Sequence, residues 1–261
     1  MTSLQPITLI TGASAGIGTA LADVFADSGH ALVLVARRAP QLKAVADAIE
    51  ARGHVRPRIV AIDLGHANAA GRIEQELREA GQEPQYVVNN AGFGLLGAAS
   101  SLDREQQLAM IDLNARVLTD LSLRFVDSLM RHQGGILNVA SVASFIPGPG
   151  MAVYHATKAY ALSFSEALHR ELAPRGVRVT VLCPGPVATE FQARAGIPEG
   201  YFPRYLARSA ERVAREGYDG LMRGRRMVVP GSGNKMVTLL PRFLPRRFVF
   251  WIVRIFRRGP K

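Results

Sequence analysis

Ile7-Thr-Leu-Ile-Thr11-Gly-Ala-Ser-Ala-Gly16-Ile-Gly18 decides how this chain of 261 residues folds. An aliphatic, β-branched run reads as a strand, a glycine turn follows, and a helical pattern begins at Gly16. Glycines at 12, 16 and 18 allow a tight strand-to-helix turn and let an anion approach backbone N–H groups. At a first strand–helix junction this predicts a loop that cradles the pyrophosphate of a nucleotide.

The same alternation continues along the chain. Strands are expected at 7–11, 31–36, 58–62, 86–89, 135–140, 177–182 and 226–229. Helices are expected at 16–28, 40–51, 69–80, 104–112, 115–131, 151–172 and 207–221. This order predicts an α/β fold: a doubly wound, Rossmann-type parallel sheet of about seven strands with helices on both faces. One domain is expected over residues 1–233, and a basic, apolar helical extension over 234–261.

Composition narrows the function classes. A single cysteine, Cys183, excludes an internal disulfide and suits a reducing, cytoplasmic setting. The six histidines show no metal-ligand spacing with Cys or paired acids, so no metal is expected. No apolar run of about 18 residues suggests a transmembrane helix, and no secretory signal is visible. The net charge of +11 is uneven: residues 204–261 hold 15 Lys and Arg against 3 Asp and Glu, and the first 203 hold 17 against 18. The excess points to a partner for the C-terminus.

Each strand end adds a candidate contact. An acidic residue closing the second strand would bond the ribose hydroxyls of NAD; here Ala36 stands at about that place, followed by Arg37 and Arg38. Guanidinium suits a 2′-phosphate, so NADP(H) is favoured over NAD(H), with Arg37 the better candidate. Asp63-Leu64 closes the third strand, where a carboxylate can accept from an adenine amino group. Asn89-Asn90-Ala91-Gly92 closes the fourth.

Tyr154-His-Ala-Thr-Lys158 places a phenol and an ammonium one helical turn apart, so that the cation can favour the phenolate. Asn114, Ser141, Tyr154 and Lys158 follow one another at spacings of 27, 13 and 4. With the glycine loop, Asn-Asn-Ala-Gly and Pro184-Gly-Pro-Val-Ala-Thr189, the chain resembles the classical short-chain dehydrogenase/reductase superfamily over about residues 5–190. The resemblance implies hydride transfer between a nicotinamide and a carbonyl or carbinol carbon. It implies Tyr154 as proton donor, Ser141 as the hydroxyl orienting the carbonyl oxygen, Lys158 as holder of the ribose and tuner of Tyr154, and Asn114 as positioner of a water. It assigns the cofactor to Gly12, Ser14, Gly16, Ile17, Gly18, Arg37, Arg38, Asp63, Leu64, Asn90, Ala91, Gly92, Tyr154, Lys158, Pro184, Gly185, Val187 and Thr189. A homodimer or homotetramer pairing through helices 115–131 and 151–172 is a further expectation.

Substrate contacts are expected from Ser141, Tyr154, Phe93, Phe145 and Phe191, in segments bordering an apolar pocket. The substrate is then a small apolar ketone, aldehyde or alcohol. From Phe248 to Phe256 all residues but Arg254 are apolar; Arg247, Arg254 and Arg258 form one stripe of a helix, which Pro241 and Pro245 would set off from the domain. Such a helix is about 14 Å long and suits an anionic membrane surface, a lid over the pocket or a subunit contact. Nucleic acid is not expected, because the apolar face would have no role there. The competing reading is a non-catalytic, cofactor-binding scaffold or regulatory protein at a membrane surface.

Overall fold

A computed structural model of the protein describes residues 4–243. The strands are β1 Gln5–Thr11, β2 Leu32–Ala36, β3 Arg58–Ala61, β4 Gln82–Asn89, β5 Gly135–Val139, β6 Arg178–Leu182 and β7 Met227–Val228. They form one sheet in the order β3-β2-β1-β4-β5-β6-β7, parallel at every pairing. The helices are α1 Gly16–Asp27, α2 Ala39–Ala51, α3 Ala69–Glu79, α4 Arg104–Ile111, α5 Leu118–Arg124, α6 Val126–Arg131, α7 Ala152–Leu172, α8 Glu190–Arg194, α9 Ala210–Met222 and α10 Ser232–Phe243.

Both faces of the sheet are apolar because helices cover both, so the strands read as continuous hydrophobic runs. Ile10, Leu34, Val88 and Leu137 pack with Leu21 and Phe25 of α1 and Val213 of α9. Their strand neighbours Leu9, Val35, Val87 and Ile136 point the other way, onto Ile73 of α3, Leu121 of α5 and Leu168 of α7. The strand order reverses between β1 and β4, and that reversal opens a crevice at the carboxyl ends of the strands.

Three segments differ from the periodicity. The helix expected at 115–131 is divided: a π-helical turn at Asp112–Val117 leads into α5, and α6 restarts at Val126. The stretch after β6 carries the short helix α8. Pro241, expected to break the chain before the tail, sits inside α10. Its missing N–H leaves the Val237 carbonyl, four residues back, without its helical donor.

Leu123 on α5 and Tyr160 on α7 are exposed, on the two helices where the sequence places a subunit contact. Among the described residues no helix is long and apolar enough to cross a membrane. The apolar run Phe248–Phe256 and Pro245 lie outside the described residues.

Candidate active site

A cavity of about 600 Å³ occupies the crevice. One end is built by the glycine loop. Gly12 and Gly16 have φ of +66° and +57°, which L side chains rarely adopt. A Cβ on Gly12 would stand 2.8 Å from the Asn90 amide, and one on Gly16 the same distance from the Thr189 methyl. At Gly18 a Cβ would collide with the Gly12 carbonyl, so this glycine sets how closely α1 packs on the turn. Ala15, the N-cap of α1, offers no side-chain acceptor, so the first N–H groups of the helix remain for an anion. This cradle fits a dinucleotide pyrophosphate.

Asn90 closes the loop from the far side, its Nδ2 donating to the Thr11 and Gly12 carbonyls at 3.0 and 3.2 Å. Neighbouring Asn89 is not in the cavity. It lies in the core, bonded to Ser122 and Asn138.

At the other end, Ser141 follows β5 as the N-cap of a 3₁₀ turn, and its Oγ accepts from Ala143 N at 3.1 Å. Tyr154 and Lys158 project from the first turns of α7 into the same space. The Tyr154 ring packs on Phe191 with centroids 5.5 Å apart. Gly94 makes room for both rings: a Cβ there would stand 3.0 Å from Phe191 and 3.1 Å from Tyr154. Lys158 Nζ donates to the Val139 carbonyl at 2.9 Å and lies 5.9 Å from the Tyr154 ring centroid.

Burial governs the charges here. It pushes the Tyr154 phenol up to about 12, against which a hydrogen bond from Ser141 acts weakly. It also pulls Lys158 down to about 8. The expected lowering of the Tyr154 pKa by Lys158 therefore does not prevail, because the same dry surroundings disfavour phenolate and ammonium alike.

Asn114 sits one layer behind, fully buried in the π-helical turn. Its Nδ2 donates to the Phe93 carbonyl at 2.9 Å and to Thr157 Oγ1 at 3.1 Å, and its Oδ1 accepts from Phe93 N at 3.1 Å. The widened turn lets one amide span the loop after β4 and helix α7. A Cβ on Gly92 would stand 2.8 Å from Asn114 Oδ1 and 3.4 Å from Lys158 Nζ, so Gly92 is what allows the two side chains to approach.

The remaining expected residues divide as follows. Ser14, Ile17, Arg37, Arg38, Asp63 and Leu64 line the nucleotide end, as do Ala91 and Gly92. Pro184, Gly185, Val187 and Thr189 line it from the segment after β6, and Phe93 and Phe191 border Tyr154. Arg37 is largely exposed and pairs with Asp63 at 3.6 Å. Arg38 is the more tightly held of the two, donating to Ser14 O and Oγ at 3.2 Å.

Phe145 does not line the cavity. It turns into the core beside Ala161 and Val229, while the next residue, Ile146, faces the cavity. Cys183 is a buried small filler whose thiol burial pushes up to about 12. Among the described residues no group of His, Cys, Asp and Glu could hold a metal ion.

Part of the wall was not anticipated. Ile197 and Tyr201 come from the segment beyond α8, and Met236, Val237 and Pro241 from α10. Asn234 fixes that helix by donating to the Leu206 and Pro230 carbonyls at 3.1 and 2.8 Å. Only the apolar character of these residues marked them in the sequence.

A parallel sheet with a glycine-rich nucleotide cradle and a Ser–Tyr–Lys set at one crevice defines a nucleotide-dependent oxidoreductase fold. The sequence model of the short chain dehydrogenase family matches residues 6–199, and the chain belongs to that family. Its members interconvert alcohols and carbonyls. The chain is 37% identical over 191 residues to sulfoacetaldehyde reductase 2 of Chromohalobacter salexigens, covering 72% of this chain and 75% of the relative. It is 33% identical over 210 residues to the NADPH-dependent 1-acyldihydroxyacetone phosphate reductase of Schizosaccharomyces pombe, covering 76% and 69%. A short-chain dehydrogenase from Sphingobium yanoikuyae, solved in complex with NADPH, superposes with a TM-score of 0.79 at 34% identity, over 86% of this chain and 87% of that one.

Proposed function

We propose that the protein reduces a lipophilic, apolar ketone or aldehyde with NADPH, the reverse oxidation being open to the same residues. The observation that carries this reading is the placing of Ser141, Tyr154 and Lys158 in one cavity whose far wall is apolar. When bound, the nicotinamide supplies or accepts the hydride. Tyr154 stays protonated across the working pH range and gives its proton to the carbonyl oxygen as the alkoxide develops. The Ser141 hydroxyl donates to the same oxygen and fixes its direction. Lys158, charged below about pH 8, offsets the negative charge left on Tyr154 and holds the ribose. Asn114 ties the loop after β4 to α7 and so keeps Gly92 and Lys158 in register.

An apolar substrate is supported by what surrounds Tyr154. Phe93, Met151, Phe191, Ile197, Tyr201 and Val237 offer no charge to it. A small anion such as sulfoacetaldehyde needs an unpaired cation nearby. Among the described residues the cavity-lining arginines are instead paired, Arg37 with Asp63, and Arg38 and Arg194 with Glu190.

Support for NADPH comes from Arg38 at the end of β2, with Arg37 beside it. The Schizosaccharomyces relative is NADPH-dependent and the Sphingobium structure contains NADPH. Arg38→Ala is expected to weaken NADPH binding by about tenfold and NADH binding far less, since one charge-assisted pair is lost. Equal weakening of both nucleotides in a fluorescence titration would remove the preference.

The C-terminal segment suits an anionic membrane surface. Tyr205, Met236 and Leu239 are exposed apolar side chains, and Tyr205 and Met236 border the cavity mouth. The chain beyond 243 continues with aromatic residues and arginines. Flotation with anionic vesicles at low salt is expected to carry the full chain upward, and a chain ending at 243 much less. Absence of any flotation of the full chain removes the membrane from the proposal.

A further inference from the structure

An ion-paired bridge at the nucleotide end has no part in the reaction proposed above. Arg38 Nη1 donates to Glu190 Oε2 at 3.0 Å, while its Nη2 is held by Ser14 O and Oγ. The same carboxylate oxygen accepts from Arg194, one turn further along α8. One oxygen is therefore shared by two guanidiniums, one after β2 and one on α8.

Helix α8 links both ends of the cavity. Its N-cap, Thr189, rests against Gly16 of the glycine loop. Its second residue, Phe191, packs on the Tyr154 ring.

We propose that Glu190 is a specificity-determining latch, whose carboxylate competes with the 2′-phosphate of the cofactor for the Arg38 guanidinium. The inference rests on the assignment of that phosphate to Arg38. Carboxylate and phosphate oxygens both match the planar guanidinium fork, so the two acceptors exclude each other at one face of it. Glu190 is 53% exposed, so leaving Arg38 buries no unpaired charge. Arg194 remains as its partner, which makes the exchange one between two exposed pairs of small individual strength. Glu190 thus weakens nucleotides that carry a 2′-phosphate and leaves others untouched.

Calorimetric titration of the full chain with adenosine 2′-monophosphate and adenosine 5′-monophosphate tests this. Wild type is expected to bind the 2′-isomer more tightly. Glu190→Gln is expected to tighten the 2′-isomer by about two- to fivefold and leave the 5′-isomer unchanged. Arg194→Gln is expected to act in the opposite sense on the 2′-isomer, because Glu190 then has only Arg38. An unchanged 2′-isomer in Glu190→Gln, or equal tightening of both isomers, would overturn the latch. Tightening of the 2′-isomer by Arg194→Gln would do the same. If wild type itself does not distinguish the isomers, the assignment of the phosphate to Arg38 falls, and the latch with it.

Discussion

Tyr154→Phe is expected to bind NADPH as wild type does and to turn over carbonyl substrate about two orders of magnitude or more slowly. The substitution removes one hydroxyl and keeps the ring, which packs on Phe191 and is nearly buried. The fold and the nucleotide cradle lie on other elements and keep their contacts. What is lost is the proton. Phe93, Met151 and Val237 have no proton to give, and the Lys158 ammonium is turned to the Val139 carbonyl. Ser141 can orient that oxygen, but an aliphatic hydroxyl is a far weaker acid than a phenol. Turnover near the wild-type rate would remove Tyr154 from the reaction. A matching loss of NADPH affinity would instead make its role structural.

Lys158→Met is expected to abolish turnover and, with no nucleotide added, to raise thermal stability. Burial lowers the Lys158 pKa from its ordinary 10.5 to about 8, so the fold disfavours the charged form. Below about pH 8 the lysine is charged both folded and unfolded, and the penalty is present in full. As pH rises from about 8 towards 10.5, only the unfolded chain stays charged, and the penalty fades. The shift corresponds to a few kcal/mol, or roughly 2–4 °C in Tm for each kcal/mol in a chain of this size. Methionine gives up the bond to the Val139 carbonyl, so the gain falls short of the full amount. Melting curves should show the variant ahead of wild type at pH 7 and the gap closing by pH 10. A destabilised variant at pH 7 would mean that the Val139 bond outweighs the desolvation.

The two substitutions separate what Tyr154 and Lys158 contribute. The spacing of four residues read them as an acid with its tuner, and the structure changes that balance. Their common burial keeps Tyr154 protonated and makes Lys158 the one of the two that titrates nearer neutral pH.

Much of the fold was legible because its cause is local. Seven strands lie where aliphatic runs and glycine turns put them, and the glycine loop sits where the first strand ends. Ser141, Tyr154 and Lys158 were legible for the same reason, since strand end and helix turn fix their relative places. Asn114 showed as a break between two helical patterns, but only the backbone reveals a π-helical turn, and only packing reveals its ties to Phe93 and Thr157.

Long-range placement was not legible. Phe145 and Ile146 are adjacent apolar residues, and backbone direction alone sends one to the core and the other to the cavity. The anchoring of Arg38 depends on Ser14 and Glu190, the latter 152 residues from Arg38 along the chain. The cavity wall from α10 depends on how a late helix docks, which Asn234 decides through carbonyls of two separate loops.

The most direct test of the proposed function is the change in nicotinamide absorbance when the full chain meets a series of apolar ketones and aldehydes, with NADPH and NADH run in parallel. Consumption of NADPH that matches the alcohol formed, faster than with NADH and absent in Tyr154→Phe, is the expected result. Reduction of small anionic aldehydes alone, with every apolar carbonyl left untouched, would contradict it.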